Sequence, residues 1–230
     1  MANYVLVHGA WGGGQSYIKT DADLQAAGHK VLVAALSGIG VRQPELHGGI
    51  TLTNHVNDVI EQIDAAGFDR FILVGHSYGG MVITQLSSIL ANRIDAICYI
   101  DAFLPKHNES LWDITGEFEH HWYIDSQKQT PGLVAPIGGI DFEEKPGLIG
   151  RHPLLTLLEA VQLTGEEENI PRKSYVFATG FEQTPFIPFA ERTKADPAWE
   201  YHEADATHMV MDDQPEQTLQ ILLGLATNQN

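Results

Sequence analysis

Two kinds of apolar pattern alternate along the first hundred residues. Residues 4–7, "KVLVAAL" (30–36), "RFILVG" (70–75) and "IDAICYID" (94–101) are short, nearly continuous apolar runs. Between them, residues 16–28, "TNHVNDVIEQIDAAG" (53–67) and residues 78–91 space their apolar positions three and four apart. The first kind reads as buried strand and the second as helix. Gly28 and Gly67 stand where helices are expected to stop, and Thr53 or Asn54 is expected to cap the second helix. A strand that is apolar on both sides must be covered on both faces. The pattern therefore predicts a parallel sheet with helices above and below it.

The alternation breaks at residue 105. From there to residue 170 the chain is mixed, rich in aromatics, and closes on "HPLLTLLEAVQLTG" (152–165), which has a helical look. Strand patterns return at 173–180 and 199–204, and a helix is expected over 215–226. The reading is one α/β domain whose core comprises residues 1–104 and 171–230, with a mostly parallel six-stranded sheet. Residues 105–170 form an inserted cap.

One stretch asks for a chemical explanation. In "FILVGHSYGGMVITQL" a strand runs into Gly75-His76-Ser77-Tyr78-Gly79-Gly80, and a helix follows. Gly-x-Ser-x-Gly is weak by itself, but strand before and helix after is the context a nucleophile turn requires. Small residues two before and two after Ser77 let the turn close. The hydroxyl then projects at a helix N-terminus, where dipole and free N–H groups favour developing negative charge. A serine that merely caps the helix is the plainer alternative.

A hydroxyl needs a base. Of eleven histidines, His208 in "EADATHMVMDDQPEQ" follows the last strand and precedes the last helix, which puts it at the same sheet edge as Ser77. His76 reads as packing under the turn, and His120 and His121 fall in the cap. The acid has two candidates. Asp101 ends a continuously apolar strand, where an unpaired carboxylate is costly. Glu182 stands in the loop after residues 173–180. Strand-end position favours Asp101. Acyl transfer also needs two oxyanion donors. The backbone N–H of Tyr78 is one, and Ala10 in "HGAWGGG" is the other. Trp11, Trp112, Trp122 and Met209 are candidate pocket residues.

Composition narrows the classes. Thirteen basic against 30 acidic residues give a formal charge of −17, which repels phosphate backbones and disfavours nucleic acid and anionic substrates. The single cysteine, Cys98, excludes an internal disulfide. No basic n-region or 20-residue apolar run suggests secretion or membrane insertion, so a cytoplasmic protein is expected. The glycine run after the first strand lacks dinucleotide and phosphate-loop spacing. Glu119-His120-His121 is not a metal-ligand spacing. No cofactor and no metal are expected.

"VLVHGAW", "LVGHSYGG" and "THMVM" before a terminal helix together resemble the α/β-hydrolase superfamily. Within it they resemble the branch of small plant methylesterases and hydroxynitrile lyases with their bacterial esterase relatives. The resemblance covers the core and implies a Ser-His-acid triad on Ser77 and His208, with donors at Ala10 and Tyr78. It implies a serine hydrolase for a small, largely apolar or aromatic ester, with carbamate or lactone as variants; relatives are often homodimers. The chain departs from the branch at Phe181, where the plant enzymes carry their acid. It departs from the lyases at Gly9, where they have Thr, and at Met209, where they have Lys. A lyase and a small-molecule receptor are the alternatives on the same fold.

Overall fold

The computed structural model describes residues 1–137, 150–181 and 184–227. Its main sheet has six parallel strands in the order β2-β1-β3-β4-β7-β8. These are β1 (Asn3–Val7), β2 (Lys30–Val33), β3 (Phe71–Ser77), β4 (Ile94–Ala102), β7 (Lys173–Ala178) and β8 (Trp199–Ala204). Period-two geometry sends alternate side chains to opposite faces. Val5, Val7, Leu73, Ile97 and Tyr99 join one apolar cluster, and Tyr4, Leu6, Ile72, Val74, Cys98 and Ile100 join the other. Both faces being covered is why the central strands read as unbroken apolar runs.

The first face is covered by α2 (Leu52–Ala66) and α3 (Gly79–Leu90), the second by α1 (Ile18–Ala26) and α9 (Pro215–Leu225). In α2, Leu52, Val56, Val59 and Ile63 are fully or almost fully buried along one stripe. Truncating Leu52 or Ile63 to alanine costs about 2–5 kcal/mol. The cap of α2 lies earlier than the pattern suggested. Thr51 receives the Asn54 N–H, and the Asn54 side chain answers the Thr51 N–H at 2.9 Å. Gly67 closes the helix at φ 65°, as expected.

Between β4 and β7 the described residues add no strand to the main sheet. They form α4 (Leu111–Ile114), α5 (Glu117–Gln129) and α6 (Leu155–Leu158), with a two-stranded antiparallel ribbon of β5 (Leu133–Val134) and β6 (His152–Pro153). The helix anticipated over 152–165 is thus a strand residue pair and a single turn. Cross-strand pairing with β5 claims its start. Two further helices, α7 (Ile187–Ala195) and α8 (Val210–Asp213), flank β8. No helix of the described residues is long and apolar enough to cross a membrane.

Candidate active site

Ser77 ends β3 with φ at 56°, a left-handed conformation that a non-glycine residue adopts only under constraint. The constraint comes from β1. A Cβ at Gly79 would strike the Val7 carbonyl oxygen, so only glycine lets α3 start this close to the sheet. The loop after β1 presses on the serine itself. A Cβ at Gly9 would sit 2.9 Å from Ser77 Cβ and 3.4 Å from its Oγ. Next to this contact, the Ala10 and Tyr78 N–H groups take part in no hydrogen bond among the described residues.

Asp101 lies at the end of the neighbouring strand, also in the left-handed region, at φ 41°. It is 0% exposed. Two donors make this burial tolerable. The Ala178 N–H at the end of β7 donates to Oδ1 at 3.2 Å, and His208 Nδ1–H donates to Oδ2 at 2.7 Å. His208 stands in the loop between β8 and α8. That loop is tied down: the Asp213 carboxylate takes both the N–H and hydroxyl of Thr207, and the Gly180 N–H donates to the Ala206 carbonyl. Phe186 stacks on the His208 ring at 5.1 Å and 11°, and Phe181 lies 5.3 Å away.

Electrostatics follow from burial. Loss of water pushes the Asp101 carboxyl up to about 7, against the pull of the Ala178 N–H, and pushes the His208 imidazole down to about 4. Joined by a 2.7 Å bond, the two act as one acid–base unit. Above neutrality its form is a carboxylate facing a neutral imidazole. With Nδ1 bound to Asp101, the Nε2 lone pair is the basic position. Neither His208 Nε2 nor Ser77 Oγ is hydrogen-bonded to a described residue. Such contacts are often long before substrate binds.

The predicted residues thus fall into groups. Asp101 and His208 are hydrogen-bonded at the end of β4, and Ser77 ends the neighbouring strand β3 with Gly9 against it. Glu182 lies outside the described residues. Trp11 donates its indole N–H to the Val134 carbonyl and accepts the Gly150 N–H on its own carbonyl, pinning the first loop to the insertion. Trp122 donates to Ala135. Trp112 stacks flat on His120 at 3.8 Å and lines a groove of about 470 Å³ with Tyr123, Leu154 and Leu158, to which neither Ser77 nor His208 contributes. Met209 packs partly buried against the α9 side of the core. Among the described residues no group of three or more His, Cys, Asp or Glu is disposed to hold a metal.

Sequence reasoning missed the polar bracing behind Tyr78. His55 Nε2 faces the Ser37 carbonyl at 2.9 Å and so carries the proton, which makes Nδ1 the acceptor for the Tyr78 hydroxyl at 2.8 Å. His152 stacks edge-on to the Tyr78 ring at 4.7 Å, and its Nε2 lies 2.7 Å from Thr156 Oγ1. Burial holds His55 and His152 well below the ordinary imidazole range. No local pattern announces these partners, because each comes from a distant part of the chain.

A model of the alpha/beta hydrolase family matches residues 4–221. The carbendazim hydrolyzing esterase of a Nocardioides species is 34% identical over 98% of this chain and 100% of its own. Methylesterase 7 of Arabidopsis thaliana is 35% identical over 44% of this chain and 40% of its own. Among solved structures, an extracellular alpha/beta-hydrolase from a Paenibacillus species superposes with a TM-score of 0.82 at 21% identity, covering 98% and 99% of the two chains. That likeness bears on the fold.

Proposed function

The chain belongs to the alpha/beta hydrolase family, and on that premise we propose that it is a serine hydrolase cleaving small, largely apolar or aromatic esters or carbamates, with lactones as a variant. Ser77 is the nucleophile, His208 the base and Asp101 the acid. The observation that carries this reading is the 2.7 Å bond from His208 Nδ1 to a fully buried Asp101, next to the strained serine.

The reaction follows from the charges. His208 Nε2 takes the Ser77 proton as Oγ bonds to the substrate carbonyl carbon. The carbonyl electron pair moves onto oxygen, where the Tyr78 and Ala10 N–H groups and the N-terminus of α3 receive it. Asp101 holds Nδ1–H and balances the imidazolium. Collapse expels the alcohol, protonated by His208, and leaves an acyl- or carbamoyl-serine. Water, deprotonated by the same nitrogen, then releases the acid and restores Ser77. No external cofactor enters.

Substrate class rests on three supports. The carbendazim hydrolyzing esterase aligns end to end with this chain. Phe181 and Phe186 lie against the ring of the base, which gives a substrate an apolar, aromatic surrounding there. The charge of −17 disfavours anions. A lone buried cysteine, Cys98, fits a cytoplasmic enzyme.

The test is Ser77→Ala on a panel of p-nitrophenyl esters and aryl carbamates, with fluorophosphonate labelling of the unaltered protein. Turnover should vanish in the folded variant, and the label should map to Ser77. Undiminished turnover or a label elsewhere overturns the reading. An inert serine with tight ligand binding points to a receptor, and cyanide release from mandelonitrile to a lyase.

A further inference from the structure

His76 adjoins Ser77 in β3, yet its side chain reaches another loop. Its Nε2 lies 2.8 Å from the carbonyl oxygen of His208, 132 residues away in sequence. Its ring lies against the His208 imidazole, centroids 4.4 Å apart and planes 35° apart. A carbonyl oxygen only accepts, so the His76 proton sits on Nε2. Burial holds the ring neutral, with its pKa down at about 3, so this tautomer persists across the working range.

We infer that His76 is a positioning residue for His208, fixing the imidazole relative to the Ser77 hydroxyl through its Nε2–H bond and ring contact. The inference rests on the triad reading above. Its physical reason is distance. The loop bearing His208 leaves β8, three strand positions from β3, or roughly 14 Å at about 4.8 Å per strand. Asp101 holds the imidazole at Nδ1 alone, and the ties at Thr207 and Ala206 fix the loop before His208 but not His208 itself. A second grip, on the carbonyl of His208, fixes that residue. It also refers the base to the very residue joined covalently to the nucleophile. Phe186 stacks on the same ring at 5.1 Å. The separation of hydroxyl and base is then set by one peptide linkage and one hydrogen bond rather than by the width of the sheet.

Two variants separate the donor from the ring. His76→Phe keeps the stacking surface and deletes the N–H. His76→Gln keeps an N–H near the Nε2 position and gives up the ring. Activity is counted per active site, by fluorophosphonate titration, so that misfolded protein does not enter. The phenylalanine variant should lose about 10- to 100-fold in kcat with KM unchanged, the scale of a sub-ångström to ångström misplacement. The glutamine variant should recover most of that loss. In the unaltered protein, ¹⁵N-histidine NMR should find His76 as the neutral Nε2–H tautomer at pH 7.

A phenylalanine variant with unchanged kcat per site, whatever its melting temperature, overturns the inference. So does a wild-type His76 found as the Nδ1–H tautomer, a measurement that decides the matter even if the phenylalanine variant does not fold. Failure of the triad reading shows separately, as turnover surviving Ser77→Ala.

Discussion

Replacing Asp101 with asparagine keeps the shape of the side chain and, by this geometry, relocates one proton. The Ala178 N–H, 3.2 Å from Oδ1, needs an acceptor. It therefore draws the asparagine oxygen to itself and turns the NH₂ group toward His208 Nδ1. Two donors cannot face each other, so the imidazole must carry its proton on Nε2 instead. That nitrogen can then no longer accept the Ser77 proton. The reverse rotamer sets NH₂ against the Ala178 N–H in a fully buried place, at about 1–3 kcal/mol. Losing the carboxylate also removes the charge that balances the imidazolium. The expected loss is about 10³- to 10⁴-fold in kcat, or about 4–5.5 kcal/mol at about 1.36 kcal/mol per decade.

Stability should move the other way. Burial raises the Asp101 pKa from 3.8 to about 7, so the folded state binds this proton more tightly than the unfolded one. Its contribution is present at low pH and is lost as pH rises through about 7. A neutral amide escapes that loss, so Asp101→Asn should melt no lower than the unaltered protein at pH 8. The assay is p-nitrophenyl acetate turnover per titrated site at pH 8, beside thermal melts by circular dichroism. A variant that keeps more than about a tenth of its kcat, against the loss expected for a triad acid, refutes the assignment. A collapse in Glu182→Gln instead would move the acid to that loop.

Two further outcomes follow from the same charges. Turnover requires the carboxylate–neutral imidazole pair, and a proton added to either member abolishes the base; kcat/KM should rise with pH, with a midpoint near the Asp101 value of about 7, and then level off, as an initial-rate pH series will report. His8, His55, His76, His152 and His208 are all held below the ordinary 6.5 by burial. Each contributes stability above 6.5 that is lost as pH falls toward its folded value, so denaturant midpoints should drop steeply between about pH 6.5 and 4. A flat midpoint across that window contradicts the buried, neutral histidines.

The core strands were readable because a parallel strand covered on both faces has no polar alternation to confuse it. The turn at Ser77 was readable because its glycines mark places where backbone meets backbone. His208 followed from chain order. Strand-end position favoured Asp101 over Glu182, while the placing of β4 between β3 and β7, which brings Asp101 to His208, is stated by no local pattern. His76 was read as packing; its bond to the His208 carbonyl spans 132 residues and leaves no periodic trace. The stretch 152–165 has helical spacing, yet pairing of His152–Pro153 with Leu133–Val134 overrides propensity at its start. Helix α7 (Ile187–Ala195), with a proline in its first turn, lies in a stretch for which no element was expected.

With its proposed acid housed inside β4, the molecule separates proton handling from access. The connection between β7 and α7 contributes Phe181 and Phe186 beside His208 but not, on this reading, a charge. Directed evolution at Phe181 can therefore change what reaches the base while the carboxylate that holds it stays within the sheet.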